Sequence, residues 1–241
     1  MSSYNTTQFE KDLKELGITL TDNQIDQFMR YYELLVEWNS FMNLTGITEF
    51  EEVMKKHFID SLSLIKAVDL SKSLSLIDIG TGAGFPGLPL KIAFPNLKVT
   101  LLDSLAKRIK FLDEVILQLG LTDIETIHGR AEDFAKPDKE REKYDFCVSR
   151  AVANMTILSE YCLPFVKEGG RFISYKSEKL TEELQTASKA INILGGQVDT
   201  QVEFNLPDAD IYRNLFVIKK VKKTPGKYPR KAGLPAKEPL V

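Results

Sequence analysis

The chain has 241 residues, 43% of them hydrophobic and 27% charged, enough to bury one sizeable core and to carry a small appendage. No apolar run reaches the ~18 residues of a membrane span, and MSSYNTTQFEKDLKEL at the N-terminus has neither the basic nor the apolar region of a secretory signal, so a cytoplasmic protein with no membrane partner is expected. The net charge of −2 hides an asymmetry: residues 219–241 hold seven Lys and one Arg against Glu238, near +7, which leaves the rest near −9 and suggests an arm for a polyanion.

Thr21-Asp-Asn-Gln24 has the form of a capping box, and Ile25, Phe28, Met29, Tyr32, Leu35 and Val36 follow it at helical spacing. Thr48-Glu-Phe-Glu51 repeats the device before Met54, Phe58, Leu62 and Ile65; with the weaker pattern at Phe9, Leu13 and Leu16, residues 1–70 read as a helical segment without strands. The period then changes. SLIDIG (75–80), KVTLLD (98–103), DIETIHG (123–129), YDFCVSR (144–150) and GRFISYK (170–176) are short apolar runs separated by helix-length segments, the signature of a parallel sheet covered on both faces. A helix over about 178–194 stops at Gly195-Gly196, and QVDTQVEF and YRNLFVIKKV read as two closing strands, which ends the core at residue 221. Residues 222–241 form a basic tail whose prolines, Pro225, Pro229, Pro235 and Pro239, argue against a helix. Cys147 and Cys162 lie in apolar segments with no C-x-x-C partner, so they are expected buried and reduced, and no metal site is expected.

The stretch after the first strand, DIGTGAGFPGLPL, satisfies two patterns at once. Gly82-x-Gly84-x-x-Gly87 fits the dinucleotide fingerprint, and Asp78-x-Gly80-x-Gly82-x-Gly84 fits the loop of S-adenosylmethionine (SAM) enzymes. In an open parallel sheet the ligand lies beyond the carboxyl ends of the strands, where Asp78, Asp103, the 128–133 segment and Ser149-Arg150 all fall. Asp103 could accept both hydroxyls of a ribose in either cofactor. A pyrophosphate wants an open helix N-terminus, yet Phe85, Pro86 and Pro89 crowd this turn and each proline removes an N–H. SAM is therefore favoured over NAD.

DIGTGAGFPGLPLKI, LLDSLAKRIKFL, HGRAEDF, SRAVA and TPGKYPRKAGLPAKEPL, with WNSFMNLTGI and HFIDSL upstream, together resemble the glucose-inhibited division protein B family over nearly the whole chain. The resemblance implies a seven-stranded class I SAM-dependent methyltransferase sheet of Rossmann-like α/β type behind a helical N-terminal extension. It implies methylation of N7 of a guanine in 16S rRNA of the small ribosomal subunit, with SAM as cofactor. Carried onto this sequence, Asp78, Gly80, Gly82, Gly84 and Phe85 would line the methionine and ribose portion of SAM, Asp103 and Ser104 would hold the ribose, and Ala131 and Glu132 would flank the adenine. Arg150 would reach the cofactor or the RNA, with an ion pair to Asp78 or Glu132 as the other reading.

Guanine N7 has an in-plane lone pair and no proton, so its methylation requires no general base, and His57 and His128 are read as structural. Catalysis then rests on positioning, with Arg150 and Lys176 as the candidate groups at the reacting end. Lys107, Arg108, Arg150, Lys176, Arg213, Lys227, Arg230 and Lys231 are the expected phosphate contacts. Phe85 is a candidate platform for an unstacked base. The protein is expected to act as a monomer. A methyltransferase acting on a small molecule, or an RNA-binding protein that takes SAM without catalysis, remains an alternative.

Overall fold

The structure is a computed structural model that describes residues 4–150, 153–177 and 181–240. Its centre is a seven-stranded sheet of β1 (Ser75–Ile79), β2 (Lys98–Asp103), β3 (Ile124–His128), β4 (Tyr144–Ser149), β5 (Val166–Lys176), β6 (Gly196–Asn205) and β7 (Tyr212–Lys220). The strand order is β3-β2-β1-β4-β5-β7-β6, parallel from β1 to β5 and antiparallel where β7 inserts between β5 and β6. Every expected strand is present, and β2 has the expected bounds.

Alternation along the strands divides the interior in two. Leu76, Val148, Ile173, Leu215 and Val217 point to one core; Ile77, Cys147, Phe172, Phe216 and Ile218 point to the other. Both cysteines are buried free thiols on the second side.

Helices α1 (Thr7–Glu15) and α2 (Asp22–Met42) close the first core, joined by a helical run made of α3 (Phe50–Val53), a π-helical turn at Met54–Ile59, α4 (Asp60–Leu62) and a 3₁₀ turn at Ser63–Lys66. Thr21 caps α2 as a true capping box, donating its backbone N–H to Gln24 Oε1 at 2.9 Å while its hydroxyl accepts from Gln24 N–H. The second expected box is absent: Glu49, not Thr48, precedes α3, and no side chain caps it. The buried face of α2 is Phe28, Met29, Tyr31, Leu34 and Leu35. Val36, expected inside, is exposed, and Tyr31 takes the inward place that the sequence pattern gave to Tyr32. Phe9, Phe28, Tyr31 and Phe58 stack against one another and reach Phe85 and Phe111 beyond them. Residues 7–66 are therefore continuous with the sheet's core.

Helices α5 (Gly87–Ala93) and α6 (Ala106–Gln118) lie on the same side. The opposite side carries α7 (Ala131–Phe134), α8 (Met155–Cys162) and α9 (Thr181–Ile193); residues 178–180 of the expected helix lie outside the described residues. Gly195 ends α9 at φ +89°, and a Cβ there would come within 2.1 Å of the Lys222 carbonyl oxygen, so the tail starts in contact with this turn.

Candidate active site

Because β1 to β4 are parallel, Ile79, Asp103, His128 and Ser149 end at one edge of the sheet, and the order reverses between β1 and β4. The turn after β1 sits at that reversal. Gly80, Gly82 and Gly84 take φ of +70°, +63° and +98°, a left-handed region that a side chain strains. They serve different ends. The N–H groups of Gly80 and Thr81 donate to the Leu102 carbonyl at 2.9 and 3.2 Å and tie the turn to β2. A Cβ on Gly84 would come within 2.8 Å of the Tyr31 hydroxyl and 2.3 Å of Leu88 Cδ1, so this glycine admits α2 rather than a ligand. Gly82 instead faces open space, with nothing within 4 Å of where its Cβ would be. Gly87 allows α5 to close on Leu101 and Asp78.

Asp78 is fully buried; its Oδ2 accepts from the Thr81 hydroxyl at 2.7 Å and the Gly87 N–H at 2.9 Å, while its Oδ1 has no partner. Burial pushes its carboxyl up to about 7, against the pull of those two donors and of Arg150. Asp103 is also buried: Oδ2 accepts from Gly82 N–H at 2.9 Å and from Arg108 at 3.1 Å, and Oδ1 from Leu105 N–H at 2.9 Å. Two carboxylates, one with an orphaned oxygen, thus flank a turn whose open side is at Gly82. Such a rim repels a pyrophosphate and suits a cofactor carrying a sulfonium and an ammonium, so the residues present fit SAM. Ser104 is exposed, its carbonyl 3.3 Å from His128 Nε2.

Arg150, at the end of β4, does not pair with Asp78 or Glu132. Its partner is Asp60, only 4% exposed, with Nη1 3.3 Å from Oδ2. Arg150 Nη1 also donates to the Ser61 hydroxyl at 3.1 Å and the His57 carbonyl at 3.3 Å, and the guanidinium lies 5.6 Å from the Phe85 ring centre. Phe85 is buried, stacked on His57 at 4.4 Å, so it is no open platform for a base. His57 accepts or donates through Nε2 to the Thr45 hydroxyl at 2.9 Å; burial and the nearby Arg150 lower its pKa to about 4, leaving it neutral near pH 7. Tyr175 donates to the Ser61 carbonyl at 2.7 Å, and the buried Tyr31 hydroxyl donates to the Ala83 carbonyl in the glycine turn.

Tyr31, His57, Asp60, Ser61 and Tyr175 are the members of this cluster that motif reading passes over as site residues. The one signal for them is HFIDSL, where His57 and Asp60 interrupt an apolar helical face. The π-helical turn just before Asp60 widens the helix there, a distortion often found at functional sites.

The expected phosphate contacts divide. Lys107 reaches the Met42 carbonyl at 2.7 Å but is exposed, whereas Arg108 is held on Asp103. Lys176 donates to the Ala153 carbonyl at 3.0 Å, and Ala151 and Val152 of the SRAVA motif lie outside the described residues. Arg213, at the start of β7, meets the same Asp60 at 2.7 Å.

The tail departs most from the expected free arm. Glu160, 1% exposed, accepts from both the backbone and the guanidinium of Arg230, down to 2.6 Å. Glu132, 5% exposed and one residue after the Ala131 that starts α7, accepts from Gly233 N–H at 2.8 Å, so its carboxylate fastens the tail. Arg141 donates to the carbonyls of Thr224 and Tyr228 at 2.6 and 2.7 Å. Lys220 is wholly buried on the Leu163 carbonyl and Thr224 hydroxyl. Despite the prolines, Leu234–Lys237 forms a short helix, α10, because Pro235 falls in its first turn where no N–H is needed. Lys227 and Lys231 stay exposed. Among the described residues no cluster of His, Cys, Asp or Glu could hold a metal, and no helix is long and apolar enough to cross a membrane.

Residues 24–212 match the family described as rRNA small subunit methyltransferase G. A protein of Lachnoclostridium phytofermentans called ribosomal RNA small subunit methyltransferase G is 56% identical over 237 residues, covering 98% of each chain. One of the same name from Listeria monocytogenes is 52% identical over 236 residues, covering 98% of this chain and 99% of the other. Among solved structures, a SAM-dependent methyltransferase from Aquifex aeolicus superposes with a TM-score of 0.51 at 18% identity, covering 72% of this chain and 94% of that one. M. jannaschii TYW2 in complex with AdoMet superposes with a TM-score of 0.51 at 14% identity, covering 63% and 71%. These two share the fold.

Proposed function

The chain belongs to the rRNA small subunit methyltransferase G family, and from that premise we propose that it transfers a methyl group from SAM to N7 of a guanine in 16S rRNA. The observation that carries this is nearly full-length identity above one half to relatives of that name. SAM supplies, when bound, a methyl group made electrophilic by its sulfonium. Asp78, the Gly80–Phe85 turn, Asp103 with Ser104, and Ala131 are the residues that would hold it; the acidic pair complements its positive charge. Glu132, its carboxylate engaged by the Gly233 N–H, would flank the adenine through its backbone alone.

The target nitrogen carries no proton, so no residue needs to remove one, and His57 and its neutral ring are left to packing. Rate enhancement comes from holding nucleophile and methyl carbon in line, an effect able to supply several kcal/mol. Arg150 and Lys176, which follow β4 and end β5, would take RNA phosphates in this reading. At saturating SAM, activity should be flat from about pH 7.5 to 9 for want of an essential base, and SAM affinity should fall on acidification through pH 7, where the carboxyl of Asp78, pushed up to about 7 by burial, takes a proton. The deciding experiment incubates the protein with methyl-labelled SAM and small subunits, naked rRNA or a metabolite extract. Label recovered as 7-methylguanine in 16S rRNA is the expected result; label confined to metabolites overturns the proposal.

A further inference from the structure

Asp60 is the only carboxylate shared by two arginines that approach from different strands among the described residues. It lies in α4, directly after the π-helical turn. Arg150 comes to Oδ2 from the end of β4 and Arg213 to Oδ1 from the start of β7, at 3.3 and 2.7 Å. Since β7 runs antiparallel to β5 and Asn214 pairs with Lys176, both arginines stand at the carboxyl edge of the parallel strands, beside the glycine turn.

Charge and hydrogen bonding leave this trio incomplete. Two guanidiniums face one carboxylate and the neighbouring His57 stays neutral; the buried Asp78, whose carboxyl sits at about 7, also acts on Arg150 and offsets the trio's surplus positive charge only in part. Arg213 spends Nε on Asp60 and Nη1 on the Tyr212 carbonyl, and among the described residues no hydrogen bond engages Nη2. Arg150 directs both Nη atoms to Asp60, Ser61, Lys56 and His57, which fixes its plane near Phe85. The side chains of both arginines remain partly exposed, so an anion can reach them without burial of the pair. Arg213 offers Nη2 as a donor to a phosphodiester oxygen, and the guanidinium of Arg150, its Nη atoms held by the protein, adds a fixed positive charge beside it.

We propose that Arg150 and Arg213 form a phosphodiester-binding pair at the mouth of the active site and that Asp60 is its positioning residue. The inference rests on the rRNA reading above and deepens it: one backbone phosphate next to the target nucleotide is held here, which registers the base against the glycine turn. Asp60 itself touches no phosphate. Its carboxylate keeps the two guanidiniums at a fixed spacing, and its removal leaves their charge in place while releasing their aim.

That separation gives the test, made on the full-length protein with unmethylated 16S rRNA. R213Q keeps the Asp60–Arg150 pair but removes half of the phosphate clamp, and should raise KM for rRNA about fivefold, lower kcat severalfold, flatten the slope of log K against log salt by roughly 0.7 to 0.9, and leave the SAM dissociation constant unchanged. D60N should lower kcat at least tenfold without weakening RNA binding, because no cation is removed, and D60E should recover part of kcat. A merely structural Asp60 would instead make melting temperature, SAM affinity and RNA affinity fall together, and that result overturns the proposal. So does an R213Q protein with the wild-type KM and salt slope; if D60N does not fold, this comparison decides alone. Failure of the wild-type protein to methylate or bind rRNA is a different outcome, in which the rRNA reading falls and takes the pair with it.

Discussion

The two ends of the chain both read as appendages in the sequence, yet they join the protein by different physics on opposite faces of the sheet. The N-terminal helices bring aromatic rings: Phe9, Phe28 and Phe58 are buried and pack without polar partners. The C-terminal tail brings charges and backbone amides, and the body of the protein supplies Glu132, Arg141, Glu142 and Glu160 to receive them. Apolar burial is non-directional and scales with area, whereas a buried ion pair depends on each partner because desolvation is repaid only by good geometry. The N-terminal helices should therefore behave as core and the tail as a latch.

The comparison breaks most visibly at the centre of each attachment. Phe58→Ala removes a fully buried ring from the cluster that also includes Tyr31 and Phe85, and should cost about 4 kcal/mol of global stability in urea titrations. Arg230→Ala leaves Glu160 with one backbone donor in a buried setting and should cost about 2 to 3 kcal/mol. The two losses should differ in kind. Phe58→Ala should expose the whole chain to trypsin together. Arg230→Ala should open cleavage at Lys227 and Lys231 while the sheet resists, as expected of a separately opening unit. Simultaneous digestion in both variants would erase the distinction between core and latch.

The next test sets His57 of the N-terminal region against Asp78 of the sheet. His57 has a folded pKa of about 4 against the ordinary 6.5, so as pH falls from 6.5 to 4 the unfolded chain takes up a proton that the folded one refuses. Stability drops by about 3 kcal/mol over that window. Asp78 acts in the other direction: with a folded pKa of about 7 against 3.8, the folded chain holds a proton that the unfolded one releases, and acidification from 7 to 3.8 adds about 4 kcal/mol. In the wild type the two largely cancel. Asp78→Asn should unmask an acid loss below pH 6.5, and His57→Gln should make the protein gain stability on acidification. Parallel pH profiles for both variants and the wild type would show that neither group titrates as its burial requires.

The sheet was legible because every strand is a short apolar run and strand burial leaves little choice of residue; KVTLLD coincides with β2 residue for residue. The glycine turn was legible as a motif, but not the division of labour within it: Gly84 is required by Tyr31, which is 53 residues away in sequence and one helical step off the face that periodicity picked out. Arg150 was found, while its partner was not, since Asp60 sits in an apolar helical run and meets two arginines 90 and 153 positions later. A local pattern can nominate a charged residue but carries no information about which distant charge will satisfy it. The tail misled for the same reason. Its lysines are visible in sequence; the carboxylates waiting for Arg230 and Gly233 belong to α8 and α7.

The smallest expected effect on stability separates the latch from any RNA contact the tail makes. Within residues 222–240 the inward groups are Thr224, Tyr228, Arg230 and Gly233, and the outward lysines are Lys222, Lys223, Lys227, Lys231 and Lys237. Truncating the tail would confuse the two, because removal of the latch also strips Glu132 and Glu160 of their partners. Replacing the five outward lysines with Gln keeps every anchor and should change stability by less than about 0.5 kcal/mol, as for exposed positions away from packed features. If these lysines track rRNA phosphates, affinity for 16S rRNA should fall, and the slope of log K against log salt should flatten by roughly 0.7 to 0.9 for each phosphate no longer neutralised. SAM affinity should not move, since no replaced residue approaches the glycine turn. The fixed backbone of the tail makes this a sharper test than it would be for a flexible arm, because the lysines keep their backbone spacing when free and only their side chains are ordered on binding. An unchanged salt slope at unchanged melting temperature would leave the tail as a latch alone and place the electrostatic contact with RNA on Arg150, Lys176 and Arg213.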